Sequence, residues 1–303
     1  MAFSAISVIW GTTFLAIRFA LQSMPPLVLG GVEYTIAGFL MTGFALTRHG
    51  NRLPSPAQLG QAAVAGALFF AFGVGSLFVG MQFIPSGIGA LLSATIPLWV
   101  FFLSWLFGFD RRPGVFMVIG LILGFAGVGW LVNPGVRGGF AFSPLGTGLA
   151  LFGSLSWALG TLYAKSIKGC GSHMDTGLQM LFGGLLLLLA AAGFGEFGRT
   201  HLASVSLLSV LSFAYLTIFG AIVAFACYVW LLTVAHPAKV SSYAFVNPVV
   251  ALFVGWAFGG ESVTLRTITA AAIIILGVAM ITLTPGGSGR PAEEKVGLER
   301  AGE

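Results

Sequence analysis

Inside the apolar stretches of this chain few residues are equipped for chemistry. Glu33 is the one acidic residue well within a membrane-length apolar run, and Arg18 and Lys165 lie near the ends of two others. A carboxylate at that depth is costly to desolvate, which makes it a functional candidate by default. Two readings of it stay open: a gate or proton-binding coupling site, or a fixed Glu33–Arg18 ion pair tying the first two helices together. Lys165 either snorkels to the interface or forms, with Arg18, a pair of opposing gate residues.

The candidates for the wall of a solute cavity are Trp10, Thr13, Trp157, Tyr163, Tyr228, Ser242, Tyr243 and Asn247. Asn247 carries the most weight, because an amide at mid-membrane depth is expensive without a partner. It precedes Pro248. Pro97 and Pro248 each remove a helical N–H and free a carbonyl one turn earlier, so both are expected to kink their helices. Lipid tolerates such defects only where protein or a polar cavity satisfies the backbone again.

No reaction chemistry is expected. The chain holds no H-E-x-x-H, no G-x-S-x-G and no Walker A motif. His49, His173, His201 and His236 fall in loops or at helix ends, and Cys170 and Cys227 stand far apart. Catalytic residues, a metal site and a cofactor are therefore all expected to be absent, and an enzyme or receptor is the remote alternative.

The elements that must position these residues are membrane helices. The chain has 303 residues, 57% of them hydrophobic and 8% charged, whereas soluble domains carry about 25% charged residues. Apolar runs long enough to cross a hydrocarbon core of roughly 30 Å recur from end to end. Ten spans follow, at approximately 4–22, 27–47, 59–81, 85–107, 114–132, 146–165, 176–194, 207–231, 236–258 and 267–284, with turn chemistry between them. The first residues lack the basic start of a cleaved signal peptide, and the Gly- and Glu-rich stretch 285–303 is expected to be a disordered cytoplasmic tail.

Ten Lys and Arg residues (Arg48, Arg52, Arg111, Arg112, Lys165, Lys168, Lys239, Arg290, Lys295, Arg300) fall on one face of this topology. Arg137, Arg199 and Arg266 fall on the other. The bias places both termini in the cytoplasm. Topology thus explains the net charge of +5 without a nucleic-acid partner. The partners expected are a small-molecule substrate and the lipid bilayer; the sequence sets no oligomeric state, and a monomer is compatible with it.

The spans repeat. Pro97 and Asp110 recur as Pro248 and Glu261 at a spacing of 151, Trp10 and Arg18 recur as Trp157 and Lys165 at 147, and Gly127-Val128 recurs as Gly277-Val278. Spans 1–5 (residues 1–134) and 6–10 (135–284) therefore read as two copies of a five-helix unit. Five is odd, so the second copy enters the membrane inverted, and inverted repeats place a binding site near the midplane between them. The halves of the pair 85–110 and 236–261 approach that midplane from opposite faces, which singles out Asn247-Pro248, with Glu261 as a loop-end anchor.

These residues resemble the EamA family of the drug/metabolite transporter superfamily. The resemblance is carried by Ile9-Trp10-Gly11-Thr12-Thr13-Phe14 with Arg18 and Pro25-Pro26, by Pro85-Ser86-Gly87-Ile88-Gly89-Ala90, by Ser156-Trp157-Ala158-Leu159-Gly160, and by Ser242 to Pro248 followed by Gly259-Gly260-Glu261. It implies ten helices and an inner-membrane exporter with a cavity lined mainly by spans 1, 3, 4, 6, 8 and 9. More distant relatives include amino-acid exporters. The chain departs from the family where Glu33-Tyr34 replaces the usual Arg-Phe, reversing the charge. Export of small metabolites, foremost amino acids, is the leading reading, and export of aromatic or lipophilic cations the alternative.

Overall fold

The computed structural model describes residues 2–47, 53–108, 114–133, 143–167, 169–199, 204–234 and 243–283. They are helical throughout, with no strand among them. Among the described residues nine helices are long and apolar enough to cross a membrane: α1 (Phe3–Ala20), α2 (Pro26–Thr47), α3 (Pro56–Gly80), α4 (Ser86–Leu106), α5 (Val115–Val132), α6 (Pro144–Ser166), α7 (His173–Gly193), α8 (Leu207–Tyr228) and α10 (Leu265–Leu283). The apolar helix α9 (Tyr243–Gly259) is shorter. Residues 235–242, which would complete its expected span, lie outside the described residues, as do Asp110 and the tail.

Local chemistry sets where these helices begin. Ser55 and Gln58 form a reciprocal capping box ahead of Pro56, while Ser143 and Ser206 accept from the backbone N–H groups of Gly146 and Ser209. Each cap satisfies a donor that a helix start leaves open. The start of α2 is capped from a distance: Glu196 Oε2 accepts from Leu27 N at 2.9 Å and Val28 N at 3.0 Å.

Helix α2 lies against α7 and runs antiparallel to it. Gly31, Thr35, Gly38 and Thr42 meet Leu188, Gly184, Leu181 and Gly177 in turn. The same antiparallel contact joins α5 and α10, where Gly120 faces Ile281 and Gly127 faces Ile274. In both pairs the partners are the corresponding helices of the two halves, so the second half is inverted relative to the first. The remaining neighbours obey the same relation. The first helix of each half crosses the third of the other: α3 packs on α6 through Gly73 and Gly153, and α1 packs on α8. Small residues at these seams let the backbones approach. Large apolar side chains such as Phe39, Phe116 and Leu189 face outward instead, as a lipid-facing surface requires.

Two features were not foreseen. Helices α3 and α8 each contain eight π-helical residues, Ala67–Val74 and Leu216–Val223, at matching places in the two halves. The matched prolines also act differently. Pro97 is the second residue of the segment Ile96–Leu106, which restarts after a turn at Ala94 and Thr95, whereas Pro248 sits inside an unbroken helix.

A candidate transport cavity between the two halves

The π-helical stretches mark where the halves meet. Wide π turns leave backbone carbonyls open to lateral donors, and each stretch receives one from the first helix of the opposite half. Trp10 Nε1 donates to Gly220 O at 3.2 Å and Ser156 Oγ donates to Leu68 O at 2.7 Å. Trp10 packs edge-on against Phe225 and Tyr243, with Tyr228 behind them. Trp157 packs in the same way on Phe69 and Phe70. The repeat-matched tryptophans thus hold equivalent positions on the two sides.

Between them lies a cavity of about 210 Å³. Its wall includes Trp10, Thr13, Glu33, Pro97, Trp157, Tyr243, Asn247 and Pro248 from the sequence-based set. Helix α2 contributes Glu33 and Tyr34 to the wall, in addition to the six helices expected. Sequence reasoning missed Phe14, Ser93, Ser154 and Phe225, which share the wall. Small and apolar residues of this kind carry no signal separating a cavity wall from a packing face. Tyr163 and Lys165 fall outside the wall, and Lys165 is exposed. Tyr228 stands one layer back. Ser242 lies outside the described residues.

Most polar groups of the wall are already engaged with the backbone. Thr13 Oγ1 donates to Trp10 O, and Ser154 Oγ to Leu92 O and Ala150 O. With its amide oriented to donate, Asn247 Nδ2 reaches Ser7 O at 3.0 Å and Tyr243 O at 3.1 Å. It therefore ties the helix that carries Pro248 to α1. Glu33 differs. It is 2% exposed, and its Oε2 has no hydrogen-bond partner.

The Glu33–Arg18 pair, one of the two readings of Glu33, does not form. Arg18 pairs instead with Glu261, whose carboxylate also accepts from Ser86 N at 2.7 Å and Gly87 N at 3.1 Å. The carboxylate fits there because the start of α4 presents free N–H groups and a positive dipole end. One buried acid thus joins α1, α4 and the end of α9. Among the described residues no cluster of His, Cys, Asp and Glu is arranged to hold a metal ion.

The chain matches the model of the EamA-like transporter family over residues 1–133 and 144–283. It is 38% identical over 283 residues to the uncharacterized inner membrane transporter YedA of Escherichia coli K12, covering 93% of this chain and 90% of that protein. The uncharacterized transporter YvbV of Bacillus subtilis is 29% identical over 281 residues, with 90% and 88% covered. A solved crystal structure with 21% sequence identity shares the fold at a TM-score of 0.64, over 93% of this chain and 95% of its own.

Proposed function

Because the chain belongs to the EamA-like transporter family, and so is a membrane transporter, we propose that it exports small organic metabolites, with amino acids and related amines as the class to test first. It works by alternating access, as the repeats 1–134 and 135–284 rock about the cavity. The observation that carries this reading is the position of the cavity: its wall is drawn from both halves, and the matched residues Trp10 and Trp157 line it together. Inverted halves exchange conformations, which opens a site between them to each face in turn.

Size supports a compact solute. The cavity of about 210 Å³ is small beside the roughly 300–1,000 Å³ of drug-sized pockets, which favours metabolites over bulky multidrug substrates. The basic residues assigned to the loops support both termini in the cytoplasm, and the likeness to an inner membrane transporter of Escherichia coli supports an inner-membrane location. Purified protein in proteoliposomes, assayed for flux across a panel of amino acids, simple amines and lipophilic cations, tests the proposal. Flux of a compact solute supports it. A folded protein that moves none of the panel overturns it.

A further inference from the structure

Resting on that reading and narrowing its class from amino acids to amines, we propose that Glu33 is the seat for the solute's protonated amine, so that the cavity takes compact organic cations in preference to zwitterions or anions. Three observations converge on it. The carboxyl group lines the cavity and is almost wholly buried, yet Oε2 has no partner. A buried ionised carboxylate without a counter-charge is strongly disfavoured, and a bound ammonium supplies that charge. The cation that could have neutralised it, Arg18, is held by Glu261.

The rest of the wall agrees in sign. No Lys, Arg or His is among the described lining residues, so a solute carboxylate would find no cationic partner. Its donors would be neutral groups, and several of these, including the Trp10 indole, already serve backbone carbonyls. The wall also carries the rings of Tyr34 and Trp157, with Phe70 packed against both, its ring 4.6 Å from that of Tyr34 and 5.9 Å from that of Trp157. A cation with an aromatic or aliphatic body would place its charge at Glu33 and its body along this wall, where aromatic faces also attract cations. A zwitterion would bring the same ammonium together with an unpaired carboxylate, whose desolvation opposes entry.

The test is a charge series on one body: phenethylamine, phenylalaninamide, phenylalanine and 3-phenylpropionate. Each competes for uptake into proteoliposomes loaded with phenethylamine, and each is titrated against the protein's tryptophan fluorescence. The expected order is amine and amide first, phenylalanine at least tenfold weaker, and phenylpropionate without effect. Glu33→Gln, checked for folding by gel filtration, should cost the amine at least tenfold in apparent affinity, and Glu33→Asp should retain part of it. Phenylalanine or phenylpropionate binding as well as the amine to the wild-type protein overturns the inference, even if the variants do not fold. An unchanged charge preference in folded Glu33→Gln overturns it too. Either result leaves transport intact, whereas a folded protein that moves no solute overturns both.

Discussion

Arg18, at the end of α1, is ion-paired with Glu261, 243 positions away, and not with Glu33 in the neighbouring helix. Glu261 is also the cap of α4, so a single carboxylate closes one end of the bundle. Its side chain is 5% exposed and that of Arg18 38%, which places the negative charge deeper than the positive one.

Removing that carboxylate leaves two helix-start N–H groups and a guanidinium without their acceptor. Hydrogen bonds to charged groups contribute roughly 1.5–3 kcal/mol each, so we predict that Glu261→Ala destabilises the protein by on the order of 2–4 kcal/mol and Glu261→Gln by less. Thermal melts in detergent read this directly.

At the seam of α2 and α7, a Cβ added to Gly38 would collide with the backbone of Leu181 and come within 2.8 Å of Gly177 O. Backbone cannot yield as a side-chain tip can. Gly38→Ala should cost about 1–3 kcal/mol, the usual range for overpacking. Gly43→Ala, on the same helix with open space around it, should cost little. Comparing folded yield and melting temperature of the two variants checks the packing of the halves.

The lateral donors to the π-helical stretches make a paired prediction. Trp10→Phe and Ser156→Ala each remove one hydrogen bond to a carbonyl of the opposite half. Interhelical bonds of this kind contribute about 0.6 kcal/mol on average in membranes, so both variants should fold with small losses of stability. Transport should fall by a larger factor in Trp10→Phe, because the indole is part of the cavity wall. Melts and flux measured on one preparation separate the two effects.

Glu196 lies beyond the end of α7 and caps α2. Burial raises its carboxyl above the usual carboxylate range, opposed by the N–H bonds from Val28 and Leu27 and by the charge of Arg199. A raised folded-state value means that the native protein holds this proton more tightly than the unfolded chain does. The contribution to stability is fully present below the unfolded value and is lost as pH rises through the folded one. As pH rises above the usual carboxylate value, the wild-type melting temperature should fall relative to Glu196→Gln, which carries no titrating carboxyl at that position. Parallel curves for the two proteins would refute this assignment.

The comparison of residues with structure divides by range. Apolar runs, turn signals and the repeated pairs Pro97/Pro248 and Trp10/Trp157 were legible because lipid forces every spanning segment to satisfy its own backbone and to show apolar side chains. Such segments write their length and period into the chain. The inversion of the halves was also legible, since five spans per repeat leave no other topology. The lining roles of Phe14 and Phe225 were not, because an apolar residue has the same composition whether it faces a neighbour, lipid or a cavity. The π-helical stretches were hidden in uniformly apolar sequence for the same reason.

The sequence by itself determined a helical membrane transporter fold of doubled, inverted design, and it put Glu33, Trp10, Trp157 and Asn247 forward as residues worth placing. Only the tertiary structure decided which charges meet. Arg18 had two acids compatible with it, Glu33 nearby in the chain and Glu261 far along it. The choice rests on which helix ends the packing brings together, because at contact distance a buried charge gains from its partner far more than it can across several ångströms of solvent. The structure gave Arg18 to Glu261, and left Glu33 facing the cavity.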